Sequence, residues 1–583
     1  MKKILTVILT IEILIFSLLV ATRVLHANPT SQTYDKAEWL NNHPQSLPIW
    51  LTEEEKTRLD EIGKDFTPTD PPAGNIRSIA EFEPQEGVLV RYPLGLPYDL
   101  IAQMSQYTTV VTVVSDYYLS TCQSNYQSNG VNMSNCEFIT APTNSYWTRD
   151  YGPWFVAVNN EVGIIDFPYN RPRPDDDEVP IEVANYLGID YWGMDITTTG
   201  GNYMTDGLGQ AASTDLVLDE NPGWSETEID SLVSAFLGID EYHITLDPLG
   251  DYIKHIDCWG KYLAPDKILI GEVPPSDYRY QDFEAVADYF AGQESSYGHN
   301  YEVYRVYTPG DYPYTPYTNS LILNDKVFVP ITGSQWDDEA IASYENAMPG
   351  YDIVGINYYD WMNTDALHCR THGIADRGML YIKHTPIPDT VAAGSDINIQ
   401  AQLNSYGNGS MISDSLLVYW KTEGQTQYNS VQLQNSFGNL YSAQIPEQPA
   451  ETAVEYYIHA ADNSGRSENR PYIGAPDPFD FYVKDFNGIS SHNQSDAIIV
   501  KNFPNPFENS TTISYQLPNG SVPAGKVTIF NTKGRVVYEQ QVKTNSVTWN
   551  GADMSGQEVP NGIYFYKIDT KEFSTTSKLL KLK

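Results

Sequence analysis

An α/β region followed by two all-β modules is the fold class that the sequence predicts, and three observations predict it. The chain has 583 residues, too many for one core when domains run ~100 to 200 residues. From about Ile49 to His384, apolar strand runs alternate with helical stretches. After Pro386 the helical patterning stops, and short strands recur between turn signals.

At the N-terminus, Met1-Lys2-Lys3 precedes an apolar run from Ile4 to Val20 and small or polar residues up to Ala27. This is the layout of a secretory signal over residues 1–27, with cleavage expected near Asn28. Glu12, in the middle of the run, argues against a membrane anchor, because a carboxylate is costly at a bilayer centre. Residues 28–48 form an N-terminal segment or propeptide. No later stretch offers the ~20 apolar residues that a spanning helix needs. The net charge of −40, from 35 Lys plus Arg against 75 Asp plus Glu, repels phosphate backbones, so nucleic acid is not an expected partner.

Within 49–384, Val110-Val111-Thr112-Val113-Val114 and Lys267-Ile268-Leu269-Ile270 read as strands and Ala287-Asp288-Tyr289-Phe290 as helix. Gly152-Pro153 and Gly200-Gly201 mark turns. A repeated βαβ-like unit is compatible with this pattern, although no sequence period proves it. Strands at Asp396–Gln402, Leu416–Lys421 and Val454–Ala460 predict an immunoglobulin-like β-sandwich over 385–484, and a polar linker follows at 485–497. Residues 498–583 are again β-rich, opening with Phe503-Pro504-Asn505-Pro506-Phe507 and including Trp549-Asn550-Gly551, Gly562-Ile563-Tyr564 and Lys578-Leu579-Leu580-Lys581. These words in this order resemble the C-terminal sorting domain of type IX secretion. The resemblance implies passage across the outer membrane by that machinery, then release or surface attachment.

Four cysteines are too few for a disulfide scaffold in so large an exported chain. Cys122 and Cys136 are close enough in sequence to form one bridge, which leaves Cys258 and Cys369. Three clusters carry candidate chemistry. Trp147-Thr148-Arg149-Asp150 holds a charged pair that, taken alone, could simply be a buried ion pair. In His255-Ile256-Asp257-Cys258 the alternation of a strand would point His255 and Asp257 to one face, suiting a metal, a catalytic pair or a hydrogen-bonded core. His368-Cys369-Arg370-Thr371-His372 surrounds a thiol with cationic residues that would lower its pKa, though a structural cysteine fits as well.

Together the clusters resemble the guanidine-modifying enzymes, in the branch of agmatine deiminase and bacterial peptidylarginine deiminase. The likeness runs from Ala80-Glu81-Phe82-Glu83-Pro84-Gln85-Glu86-Gly87 through Gly200-Gly201-Asn202 and Tyr317-Thr318-Asn319-Ser320 to Gly373. It implies a five-bladed α/β propeller (pentein) with the site on its axis. It also implies roles. Cys369 is the nucleophile, His255 the general acid and base, and Asp150 and Asp257 the carboxylates that hold the guanidinium. Asn319 orients the thiolate or the water, and Trp147 packs on the substrate's methylenes. No metal or organic cofactor is required by this chemistry.

Within the superfamily, Tyr169-Asn170-Arg171-Pro172-Arg173-Pro174 resembles the loop with which bacterial peptidylarginine deiminases read a substrate carboxylate, through Arg171 and Arg173. The competing reading pairs these arginines with Asp175, Asp176 and Asp177. Cys-Arg-Thr-His departs from the Cys-x-Thr-Gln of agmatine deiminases. The expected activity is therefore deimination of peptidyl arginine, preferentially at a C-terminus, outside the cell. Agmatine deimination and a non-catalytic surface binding protein are the alternatives.

Overall fold

The computed structural model describes residues 36–310, 312–485 and most of 499–581, in two compact units that divide at Lys484–Asp485. The expected signal segment and nearly all of the linker lie outside the described residues. Residues 76–375 build five separate sheets, none of which closes on itself. Each contains the same unit: an antiparallel strand pair, a helix, then a strand returning parallel to the second strand of the pair. In the third sheet Gly260–Ala264 and Lys267–Glu272 pair antiparallel, helix Tyr280–Ala291 crosses over, and Glu302–Tyr307 lies parallel to Lys267–Glu272. The crossover helix buries Phe283, Val286, Ala287 and Phe290, a 3.6-residue periodicity that seats it on the sheet.

The fifth unit joins the two ends of this region. His372–Ala375 pairs antiparallel with Gln85–Tyr92, which then runs parallel to Thr109–Val114. Strands with near-continuous burial, such as Thr109–Val114, are covered on both faces, as parallel pairing requires. Residues 380–484 form two further sheets around one apolar cluster that includes Ile399, Val418, Tyr456 and Phe481. Ile397–Ser405 alternates buried and exposed positions, so only one of its faces meets this core. The second unit has sheets Ile499–Phe503/Thr511–Gln516/Ser546–Trp549 and Val536–Val542/Gly525–Asn531/Gly562–Thr570/Ser574–Lys581, around Trp549, Ile529 and Leu579. No helix among the described residues is long and apolar enough to cross a membrane.

Candidate active site

The candidate residues occupy equivalent places in the repeated unit. Asp150 precedes strand Trp154–Val158, Asp257 precedes Gly260–Ala264, Asn319 precedes Leu321–Leu323 and Cys369 precedes His372–Ala375. The fold thus presents one turn per unit, and distant sequence words meet there. His255 and Asp257 do not share a strand, contrary to the alternation read from sequence. His255 is extended, and Ile256–Cys258 is a 3-10 turn. Asn202 fixes that turn, since its Oδ1 accepts from the Ile256 N–H at 3.3 Å and from Thr214 N–H and Oγ1 at 3.0 Å each.

Cys369 Sγ receives the Asn319 side-chain N–H at 3.3 Å and lies 3.7 Å from Asp257 Oδ2. Asn319 Oδ1 also accepts the backbone N–H groups of His368 and Cys369, so one amide fixes both the thiol and its turn. His255 Nδ1 is 3.5 Å from Asp150 Oδ1. Gly201 makes this approach possible, because a Cβ there would stand 2.6 Å from His255 Nδ1 and 2.7 Å from Asp150 Oδ1. Cys369, His255, Asp150 and Asp257 are at most 4% exposed.

Burial, aided by the charge of Asp257, pushes the Asp150 carboxyl well above its ordinary range. Burial holds His255 down at about 4 despite the nearby Asp257. It also raises the Cys369 thiol to about 12, with Asp257 and Asp150 adding to the rise. This reverses the sequence expectation of a thiol depressed by cationic neighbours, and the side-chain directions explain why. Arg370 turns away into Asp365 at 2.5 Å and Asp360 at 2.8 Å. His368 is held between two carboxylates, its Nδ1 2.6 Å from Asp257 Oδ2 and its Nε2 2.5 Å from Glu81 Oε2.

Sequence reasoning assigned Glu81 no individual role and read His368 only as a cationic neighbour of Cys369, yet the two brace the site. Arg149 and Lys261 also reach Glu81, each at 2.9 Å, so Arg149 does not pair with its neighbour Asp150. Burial opposes ionisation of Glu81, but His368, Lys261 and Arg149 outweigh it and hold the carboxyl well below its usual range. Burial likewise opposes ionisation of Asp257, and its hydrogen bond with His368 wins. The signal available was the Glu81 motif itself.

The N-terminal segment meets the other predicted positions. Trp147 is fully buried, donates to the Leu47 carbonyl at 3.3 Å and stacks near Arg370. Arg171 donates to the carbonyls of Asn170 and Ile49. Arg173 is buried in an ion pair with Glu55 at 2.7 Å and also bonds the Pro48 carbonyl. Its ion-pair partner is thus Glu55, while its charge also favours ionisation of the buried Asp176, one of the three aspartates of the competing reading. The charge of Arg171 acts on both Asp150 and His255, and that of Arg173 on Asp150. Cys122 and Cys136 are free thiols, without the bridge that their spacing allowed.

Residues 77–374 match the family model of the Porphyromonas-type peptidyl-arginine deiminase, and residues 501–582 match the secretion system C-terminal sorting domain. A Vibrio parahaemolyticus protein named "putative agmatine deiminase" is 26% identical over 350 residues, covering 51% of this chain and 95% of its own. A solved agmatine deiminase of Enterococcus faecalis superposes with a TM-score of 0.48 at 20% identity, covering 53% of this chain and all of the other. The sorting domain makes the chain a secreted, surface-attached cargo of type IX secretion. With just over half of its length matched by one family model, the chain belongs to the Porphyromonas-type peptidyl-arginine deiminase family, whose members are hydrolases of amidine C–N bonds.

Proposed function

We propose that the protein hydrolyses the guanidinium of peptidyl arginine, preferentially at a C-terminus, to citrulline and ammonia. The observation that carries this reading is the meeting of Cys369, Asp257 and Asn319 with the Asp150–His255 pair in one buried cluster. A guanidinium is planar, cationic and resistant to nucleophiles. Asp150 and Asp257 accept its N–H groups and hold its carbon in line with sulfur. The substrate's positive charge favours ionised Asp150 and the Cys369 thiolate beside it.

His255, neutral at working pH, takes the thiol proton and hands it to the departing nitrogen. Sulfur attacks the carbon, ammonia leaves, and a thiouronium remains on Cys369. Water attacks that carbon next, His255 accepts the water's proton, and citrulline departs as the thiolate is restored. In this scheme the five sheets are the blades of a propeller with the site on its axis.

Export favours a peptide met outside the cell, and the positive charge of Arg171 beside Asp150 suits a carboxylate better than the ammonium of agmatine. The name of the Vibrio relative favours the second reading, agmatine deimination. The test compares a peptide ending in arginine with agmatine, reading ammonia and citrulline or its carbamoyl equivalent. A higher kcat/KM for the peptide, lost on Arg171→Ala, is expected. A preference for agmatine would reject the peptidyl reading, and inactivity toward both would reject the deiminase itself.

A further inference from the structure

Cys258 is a buried thiol that the proposed reaction does not use, yet it belongs to the same cluster. Its Sγ is 3.5 Å from Asp257 Oδ1, while Cys369 Sγ is 3.7 Å from Asp257 Oδ2. One ligand atom from each of Asp257, Cys258 and Cys369 lies within 4.8 Å of the other two, and all three residues are buried. Zinc binds thiolate at ~2.3 Å and carboxylate oxygen at ~2.0–2.2 Å in a tetrahedron. Those bond lengths set sulfur–oxygen edges of about 3.6 Å, and each sulfur stands near that distance from one oxygen of the same carboxylate, Cys258 from Oδ1 and Cys369 from Oδ2.

We propose that Asp257, Cys258 and Cys369 form an inhibitory site for a thiophilic divalent cation such as Zn2+, which captures the nucleophile through a second sulfur. The same acidic surroundings that suit a guanidinium, Asp257 and Asp150, attract the ion. Lys261 and His368, which contact Glu81 and lie near Asp257, oppose it but are both held by the Glu81 carboxylate. Binding is a ligand exchange without redox. Each thiol releases its proton as a metal–sulfur bond forms, and Asp257 supplies an oxygen. A small cavity of about 90 Å³ is lined by Asp257, His368, Glu81 and Lys261, and neither cysteine lines it.

The experiment titrates the reduced full-length protein with Co2+ and Zn2+ and reads absorption beside activity. Co2+ is expected to give a thiolate-to-cobalt charge-transfer band at one equivalent, which Zn2+ abolishes. Zn2+ is expected to stop turnover reversibly, with activity returning on addition of a chelator. Cys258→Ser and Cys258→Ala are expected to turn over normally without metal, lose the band, and need at least about tenfold more Zn2+ for half-inhibition. Cys369→Ala, inactive on the deiminase reading, loses the band too, which separates metal binding from turnover. Absence of the band in the unmodified protein would overturn the proposal, as would equal zinc sensitivity in both Cys258 variants. Either result would leave the deiminase reading intact.

Discussion

Asp257 is asked to stay ionised in a place that penalises charge, and His368 is what permits it. The chain Glu81–His368–Asp257 aims one carboxylate oxygen, and the displacement of such a group by ~1 Å can cost ~100-fold in rate. His368→Gln and Glu81→Gln should therefore lower kcat by on the order of 100-fold with little change in KM. Steady-state kinetics on folded variants checks this, and an unchanged kcat would reduce both residues to packing. Gly201→Ala places a Cβ against His255 and Asp150, and should lower kcat/KM at least tenfold, at a cost of about 1.4 kcal/mol or more. Wild-type kinetics in that variant would mean the turn yields without disturbing the pair. Asp150, His255, Asp257 and Cys369 could be singled out as candidates because each sits in a distinctive word of sequence. The bracing of Asp257 was not, since His368 and Glu81 are 287 positions apart and only the fold joins them.

The turn that opens each sheet is the element that organises the site, and its sequence disguises it. His255 to Cys258 reads as alternating strand, whereas the hydrogen bonds of Asn202 fold it into a 3-10 turn. The five units share topology without a period because their strands differ in length, Met204–Thr205 having two residues and Gln85–Tyr92 eight. The N-terminal segment was legible only as something preceding the α/β region. Its place against Trp147, Arg171 and Arg173 depends on Leu47 and Ile49 carbonyls, which any residues would supply, and on Glu55, one acid among many. Removing one partner of a buried ion pair costs ~3–5 kcal/mol. Glu55→Gln should thus loosen residues 45–58, seen as faster amide exchange there and faster alkylation of Cys369 by iodoacetamide. Unaltered exchange in that segment would show that Glu55 does not hold it.

At the scale of the molecule, the sorting unit has an apolar cluster of its own around Trp549, Ile529 and Leu579. Ending the chain at Lys484 should leave kcat/KM unchanged, and a loss of activity in the folded, truncated protein would contradict that expectation. Stability should respond to pH through buried acids. Burial pushes Asp166 up to about 8, with Asp177 adding to the shift, so the native chain holds a proton that the unfolded chain has already released above about 4. Raising pH through that window favours unfolding. Buried His384, held at about 4, acts only at lower pH: the unfolded chain takes up its proton below about 6.5, so acidification toward 4 removes stability there. The thermal midpoint should therefore fall between pH 6.5 and 8, and fall less in Asp166→Asn; an identical slope in that variant would clear Asp166. The division into α/β and all-β parts was legible from where helical periodicity stops. Most direct for the central claim is rapid quenching during turnover of an arginyl peptide, followed by mass spectrometry of the cysteine-containing fragments. An adduct on Cys369 equal to the substrate less ammonia is expected, absent in Cys369→Ala. Ammonia release without such an adduct, or an adduct on another residue, would contradict it.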